Sequence, residues 1–118
     1  MKYGLPDRTL NTLYAIFRKY TGIRQVILYG SRAKGNYRKG SDIDLSLLTG
    51  KDFNFTSLLQ ITNDLDDSDL PYFVDISFYN TLSNPNLKAH IDRVGKVIYS
   101  QKESINEIAM SHHKKPLL

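Results

Sequence analysis

A chain of 118 residues supports one domain with one core and is too short for two. With 41% apolar and 24% charged residues it should fold; its lack of cysteine excludes a disulfide framework and a thiolate metal site. The formal charge of +4 points to a polyanionic partner, a nucleotide or RNA, or merely to a solvated basic surface.

No apolar run approaches the roughly 20 residues of a bilayer span, and the first residues do not read as a signal peptide. A cytoplasmic, membrane-free protein is the expectation. From Pro6 to Tyr20, Leu10, Leu13, Tyr14, Ile16, Phe17 and Tyr20 recur at helical spacing, with Pro6 or Asp7 at the start and Gly22 beyond the end. "QVILYG" reads as a buried strand that stops at Gly30. "SRAKGNYRKGS" predicts a short helix from Ser31 running into a glycine-punctuated loop. "DIDLSLL" alternates and predicts a strand. Leu58, Leu59, Ile61, Thr62 and Leu65 predict a helix from Phe55 to about Asp67, with Thr56 as its cap. "DSDLP" is a turn and "YFVDISFY" a third strand. Asn84 and Pro85 open a helix that reaches Val94 and stops at Gly95, and "KVIYS" is a short edge strand. The expected fold is α/β (α+β): a small mixed sheet of about four strands with helices packed mainly on one face. Residues 1–100 form the domain. Residues 101–118 are a tail, partly helical or disordered.

Strand alternation puts Asp42, Asp44 and Ser46 on one face and Ile43, Leu45 and Leu47 on the other. It likewise separates Phe73, Asp75 and Ser77 from Val74, Ile76 and Phe78. If the two strands are neighbours, about 5 Å apart, Asp42, Asp44 and Asp75 converge. Three such carboxylates raise each other's pKa unless a cation sits among them. An all-oxygen donor set favours Mg²⁺, with Mn²⁺ as the alternative, and Mg²⁺ usually shares its shell with substrate phosphates. Gly30 lets the backbone turn sharply toward a ligand, and Ser31 adds a hydroxyl and an N–H near a helix start. Two ions there would stabilise both the attacking and the leaving oxygen of an in-line displacement.

These residues carry a resemblance. Gly30-Ser31, ten residues, Asp42-Ile43-Asp44 and a later Asp75 resemble the DNA-polymerase-beta-like nucleotidyltransferases. "GSRAKG…SDIDL" is similar to the minimal nucleotidyltransferase (MNT) group, over about Arg24 to Phe78 by motif. The resemblance implies that Gly30 and Ser31 bind nucleotide phosphates. It implies that Asp42 and Asp44 bind both metals, and that Asp75 completes one metal site and helps activate the attacking hydroxyl. Larger relatives carry an extra helical domain for the acceptor, which this chain lacks. MNT proteins are often antitoxins paired with HEPN RNase toxins. The resemblance therefore implies transfer of AMP from Mg²⁺–ATP to a toxin tyrosine, within a hetero-oligomer, with a homodimer left open and no direct nucleic-acid binding required. Two other readings stand beside it: an antitoxin that blocks its partner by binding alone, and a nucleotidyltransferase acting on a small molecule such as an antibiotic.

Arg32 and Ser41 complete the candidate nucleotide contacts. Arg32 and Lys34 divide between phosphate contact and ion pairing with a motif acid, and Ser41 also suits a turn hydrogen bond. Arg38 and Lys39 read as solvated loop charges. "DLDDSD", Asp64 to Asp69, reads as solvated surface at a helix end. His90 reads as structural, and Tyr29 and Tyr37 as packing beside the phosphate loop or, for Tyr37, as a base-stacking ring. His112 and His113, in the tail, lack further ligands, and Lys102, Lys114 and Lys115 read as solubilising charge.

Overall fold

The computed structural model describes residues 1–101 of the chain. The expected tail readings, with Lys102, His112, His113, Lys114 and Lys115, lie outside the described residues. Within them the order is α1 Asp7–Arg18, β1 Ile23–Tyr29, α2 Gly30–Lys34, β2 Ile43–Thr49, α3 Phe55–Asp67, β3 Val74–Phe78, α4 Pro85–Val94 and β4 Lys96–Ser100. A single 3₁₀ turn, Tyr79–Thr81, links β3 to the approach of α4; no strand or helix periodicity signals so short a piece.

The strands form one mixed sheet in the order β3-β2-β1-β4. β1 is antiparallel to both β2 and β4, whereas β2 and β3 are parallel. A parallel pair needs a crossover, and α3 supplies it. α3 starts on Asn54, not on Thr56. The Asn54 side chain accepts from Ser57 N–H at 3.0 Å, and the Ser57 hydroxyl accepts from Asn54 N–H at 3.2 Å. Such reciprocal capping satisfies two donors that the first helical turn leaves free. At α4 the expected cap holds: Asn84 accepts from Asn86 and Leu87 N–H, with Pro85 at the first position.

The two faces of the sheet differ. On one, α1 and α3 bury Leu13, Phe17 and Ile61 against Val26, Leu28, Ile43, Leu45 and Leu47, all fully buried. Val74, Ile76 and Phe78 of β3 pack on the same core. Full removal from water stabilises each side chain of the first group by roughly 1.5–3 kcal/mol, and the partly buried β3 side chains by less. The other face carries Asp44, Ser46, Asp75 and Ser77, together with Tyr29 and Ile27 of β1, which stand opposite Asp44 and Ser46. α4 covers the β1 side of that face. His90 meets the Tyr29 ring edge-on, and Gly95 packs so closely on Ile27 that a Cβ there would stand 2.6 Å from the Ile27 methyl. The β2–β3 side holds the acids.

Candidate functional site

The parallel register decides the geometry of the acids. Ile43 pairs with Val74, and Asp44 with Asp75. Paired residues on adjacent strands point to the same side, so the Asp44 and Asp75 carboxylates stand side by side. Asp42 lies one step outside β2, at the position opposite Phe73, because Ile43 N–H already bonds the Phe73 carbonyl at 2.9 Å. Asp42 and Asp75 are exposed and Asp44 is half-buried. Burial first, then the Asp75 and Asp42 charges, raise the Asp44 pKa above the ordinary 3.8, while the nearby His90 lowers it. Among the described residues no hydrogen bond or ion pair reaches any of the three carboxylates.

The Gly30-Ser31 turn sits against this pair. Tyr29, the last residue of β1, is paired with Asp44, so the chain leaves the sheet beside that acid. Gly30 has φ +74°, a conformation that costs an L side chain roughly 1–2 kcal/mol. A Cβ at Gly30 would also collide with Asp44 Oδ2. A side chain at Gly30 would make the Asp44 carboxylate move aside, on top of the strain of the positive φ. The Ser31 hydroxyl has no hydrogen-bond partner among the described residues. α2 is only five residues long, so it carries little dipole. Any anion at this turn would be held by local donors.

Beneath the acids runs a small polar layer. Ser77 donates to Ser46 at 3.1 Å, and Ser46 is fully buried. Burial pushes the Tyr29 phenol pKa up and the Asp44 and Asp75 charges add to this, against a hydrogen bond with Ser77 that lowers it. Ser46, Ser77 and Tyr29 thus partner one another and leave the acid pair without a donor.

Arg32 stands elsewhere than the phosphate turn. It is 2% exposed. Its Nε and Nη2 donate to the Ser41 carbonyl at 3.0 and 2.8 Å, and its Nη1 to the Tyr3 carbonyl at 3.0 Å. The guanidinium lies between the Tyr37 and Tyr72 rings, 5.3 and 4.9 Å from their centroids. At this burial, with three N–H groups on carbonyls and both faces under rings, the guanidinium pairs with no motif acid among the described residues. It braces the loop that delivers Asp42. The Ser41 hydroxyl accepts from Arg38 N–H at 2.8 Å, which closes the turn before Asp42. Tyr37 packs against Gly4 as well as Arg32. The acids of α3 and the turn after it lie apart from the site: Asp64 accepts from Lys19 at 2.9 Å and Tyr20 at 2.5 Å.

His90 was placed on its helix by the sequence but not in the site. Its Nε2 accepts the Gly30 N–H at 3.3 Å. Sixty residues separate the two, and no local pattern reports such a contact.

Among the described residues no group of three or more His, Asp or Glu side chains is placed to hold a metal ion, Asp42, Asp44 and Asp75 included. The donors present are the in-register Asp44–Asp75 pair with Asp42 at its edge, all oxygen, all without protein donors. This chemistry fits Mg²⁺, which takes one or two carboxylates and completes its shell with water and phosphate.

A mixed four-stranded sheet, a glycine turn resting on one strand acid and a second acid in parallel register define a nucleotidyltransferase fold. The family model for "Polymerase beta, Nucleotidyltransferase" matches residues 11–104, and the chain belongs to that family. A relative from Haemophilus influenzae, a probable protein adenylyltransferase MntA, is 29% identical over 79 residues, covering 67% of this chain and 68% of that protein. A crystal structure of a toxin–antitoxin with AMP-PNP superposes with a TM-score of 0.63 at 20% identity, over 89% of this chain and 88% of that one. A structure of the tri-AMPylated Shewanella oneidensis HEPN toxin in complex with MNT antitoxin gives a TM-score of 0.51 at 16% identity, covering 88% and 80%. At these identities the structural likeness is one of fold. No helix among the described residues is long and apolar enough to cross a membrane.

Proposed function

We propose that this chain transfers AMP from Mg²⁺–ATP to a tyrosine hydroxyl of a partner HEPN toxin, and so acts as its antitoxin. The observation that carries the reading is the register of Asp44 on Asp75 with the Gly30 backbone laid against Asp44. The relative named as a protein adenylyltransferase, and the fold neighbours that are toxin–antitoxin complexes, support the choice of donor and acceptor.

In this reading the Gly30-Ser31 turn binds the β- and γ-phosphates through the Ser31 N–H and the Ser31 hydroxyl, which has no partner among the described residues. Asp42 and Asp44 hold the metal ions, and Asp75 completes one of the two positions. Magnesium, when bound, neutralises charge on the triphosphate and on the oxygens entering and leaving the α-phosphorus. Asp75 is exposed on the open side of the sheet, where an incoming hydroxyl arrives, and it accepts or directs that hydroxyl's proton. The hydroxyl oxygen bonds to the α-phosphorus as the bond to the bridging oxygen breaks, and pyrophosphate leaves. Arg32 holds the loop that sets Asp42 in place.

The test is co-expression with a candidate HEPN partner followed by intact-mass measurement of that partner. A mass increase of one or more AMP groups with the natural chain, absent with Asp44→Asn, is the expected result. An unmodified partner that is nonetheless neutralised equally well by both forms would replace this reading with inhibition by binding.

A further inference from the structure

We infer that His90 is a positioning residue of the phosphate turn: its Nε2 holds the Gly30 N–H and thereby fixes the peptide that aims Ser31. The inference rests on the reading of Gly30 and Ser31 as the nucleotide turn, and it concerns a residue on α4, outside the motif.

Three features place His90 there. Gly30 N–H donates to its Nε2 at 3.3 Å, so that nitrogen carries the lone pair and the ring proton sits on Nδ1. The ring meets Tyr29 edge-on, with centroids 6.2 Å apart and planes at 82°. The helix that carries it is anchored by Ile91, 2% exposed, and by the close approach of Gly95 to Ile27. A side chain seated on a fixed helix is a rigid acceptor.

The peptide it holds is the one with most to lose by turning. Gly30 has a positive φ and its Cα faces the Asp44 carboxylate so closely that a methyl group would displace it. Rotation of the Tyr29–Gly30 peptide would lift the turn off Asp44 and swing Ser31 away from it. The Gly30 N–H is part-buried, so losing its acceptor leaves a donor unpaired or rewetted. His90 therefore keeps the turn pre-formed before nucleotide arrives, and pre-formation lowers the ordering cost of binding.

The experiment compares the natural chain with His90→Ala, His90→Phe and His90→Gln. Two readouts are taken: hydrogen exchange of the Gly30 amide by ¹⁵N NMR, and calorimetric binding of AMP-PNP with magnesium. Phenylalanine keeps the ring contact with Tyr29 but offers no acceptor; glutamine keeps an acceptor without the ring. His90→Ala and His90→Phe should speed Gly30 exchange and weaken AMP-PNP about three- to tenfold, the range of one lost hydrogen bond. His90→Gln should stay near the natural chain in both. In AMP transfer the loss should appear in KM and leave kcat within about twofold.

Unchanged Gly30 exchange in His90→Ala overturns the inference, as does natural behaviour in His90→Phe. Tighter AMP-PNP binding in His90→Ala also overturns it, by showing that His90 competes for the amide. If His90→Ala does not fold, the Phe and Gln forms decide between them. Should the natural chain bind no AMP-PNP, the nucleotide reading fails, and Gly30 exchange alone decides whether His90 fixes the turn.

Discussion

Two groups of acids in this molecule look alike in the sequence and differ in the fold. Asp64 at the end of α3 has partners: the Tyr20 hydroxyl and then the Lys19 ammonium hold its pKa below the ordinary 3.8. Asp44 has no hydrogen bond or ion pair among the described residues, and burial and two like charges hold its pKa above that value against the lowering by His90. A carboxylate supplied with donors is finished. A half-buried carboxylate set beside two others without a donor carries an unmet electrostatic demand, which an outside cation meets. The pairing of a raised acid with the glycine turn separates the site from ordinary acidic surface.

Substitution at Asp44 should separate the two groups furthest. Asp44→Asn should lower AMP transfer by roughly a thousandfold or more, measured as incorporation of labelled AMP into the partner. The same change should raise the Tm of the free protein near neutral pH. The sign follows from the raised pKa. The folded chain holds the Asp44 proton more tightly than the unfolded one. That stabilisation is complete below about pH 3.8 and is lost as pH rises through the higher folded value. Near neutral pH the ionised side chain therefore weakens the fold, and an amide relieves it. Magnesium should raise the Tm of the natural chain and leave Asp44→Asn unmoved. Replacement of Asp64 by Asn should do the reverse, lowering Tm and sparing transfer.

Arg32→Ala should cost about 3 kcal/mol in urea unfolding, because it strips donors from the Ser41 and Tyr3 carbonyls and empties the space between two rings. Gly30→Ala should cost about 1–2 kcal/mol for its positive φ alone. It should also abolish detectable nucleotide binding, since the methyl group meets Asp44. Tyr20→Phe should have the least effect, about 1 kcal/mol, since Asp64 is partly exposed and Lys19 remains. Its signature lies in acid. Asp64's contribution is present above pH 3.8 and disappears as pH falls through its lowered folded value, so the mutant should lose less stability on acidification.

Local chemistry made much of this legible. α3 at Phe55–Asp67 and β4 at Lys96–Ser100 match the periodicity and the glycine and proline punctuation residue for residue. Alternation in "DIDLSLL" and "YFVDISFY" sorted the acids from the core, and the parallel pairing of those strands brings Asp44 beside Asp75. The Asn54 cap was missed because its partner is Ser57, a shorter side chain than the Glu or Gln that marks a capping box. The surroundings of Arg32 are illegible in the sequence for a different reason. A cation next to Gly30-Ser31 in the chain turns inward on α2, toward carbonyls and rings that come from residues 3, 37, 41 and 72. His90 likewise reaches Gly30 only because α4 folds over the sheet face opposite the main core. Contacts that join distant segments leave no periodic trace.

Paramagnetic Mn²⁺, substituted for Mg²⁺ in an ¹⁵N NMR titration, reads the two acid groups in one spectrum. Broadening should begin at the amides of Gly30, Ser31, Asp42, Asp44 and Asp75 and sharpen its preference for them when AMP-PNP is added. Broadening centred on Asp64–Asp69, or spread evenly over both groups at every ratio, would mean that the strand acids are surface charge and hold no catalytic metal.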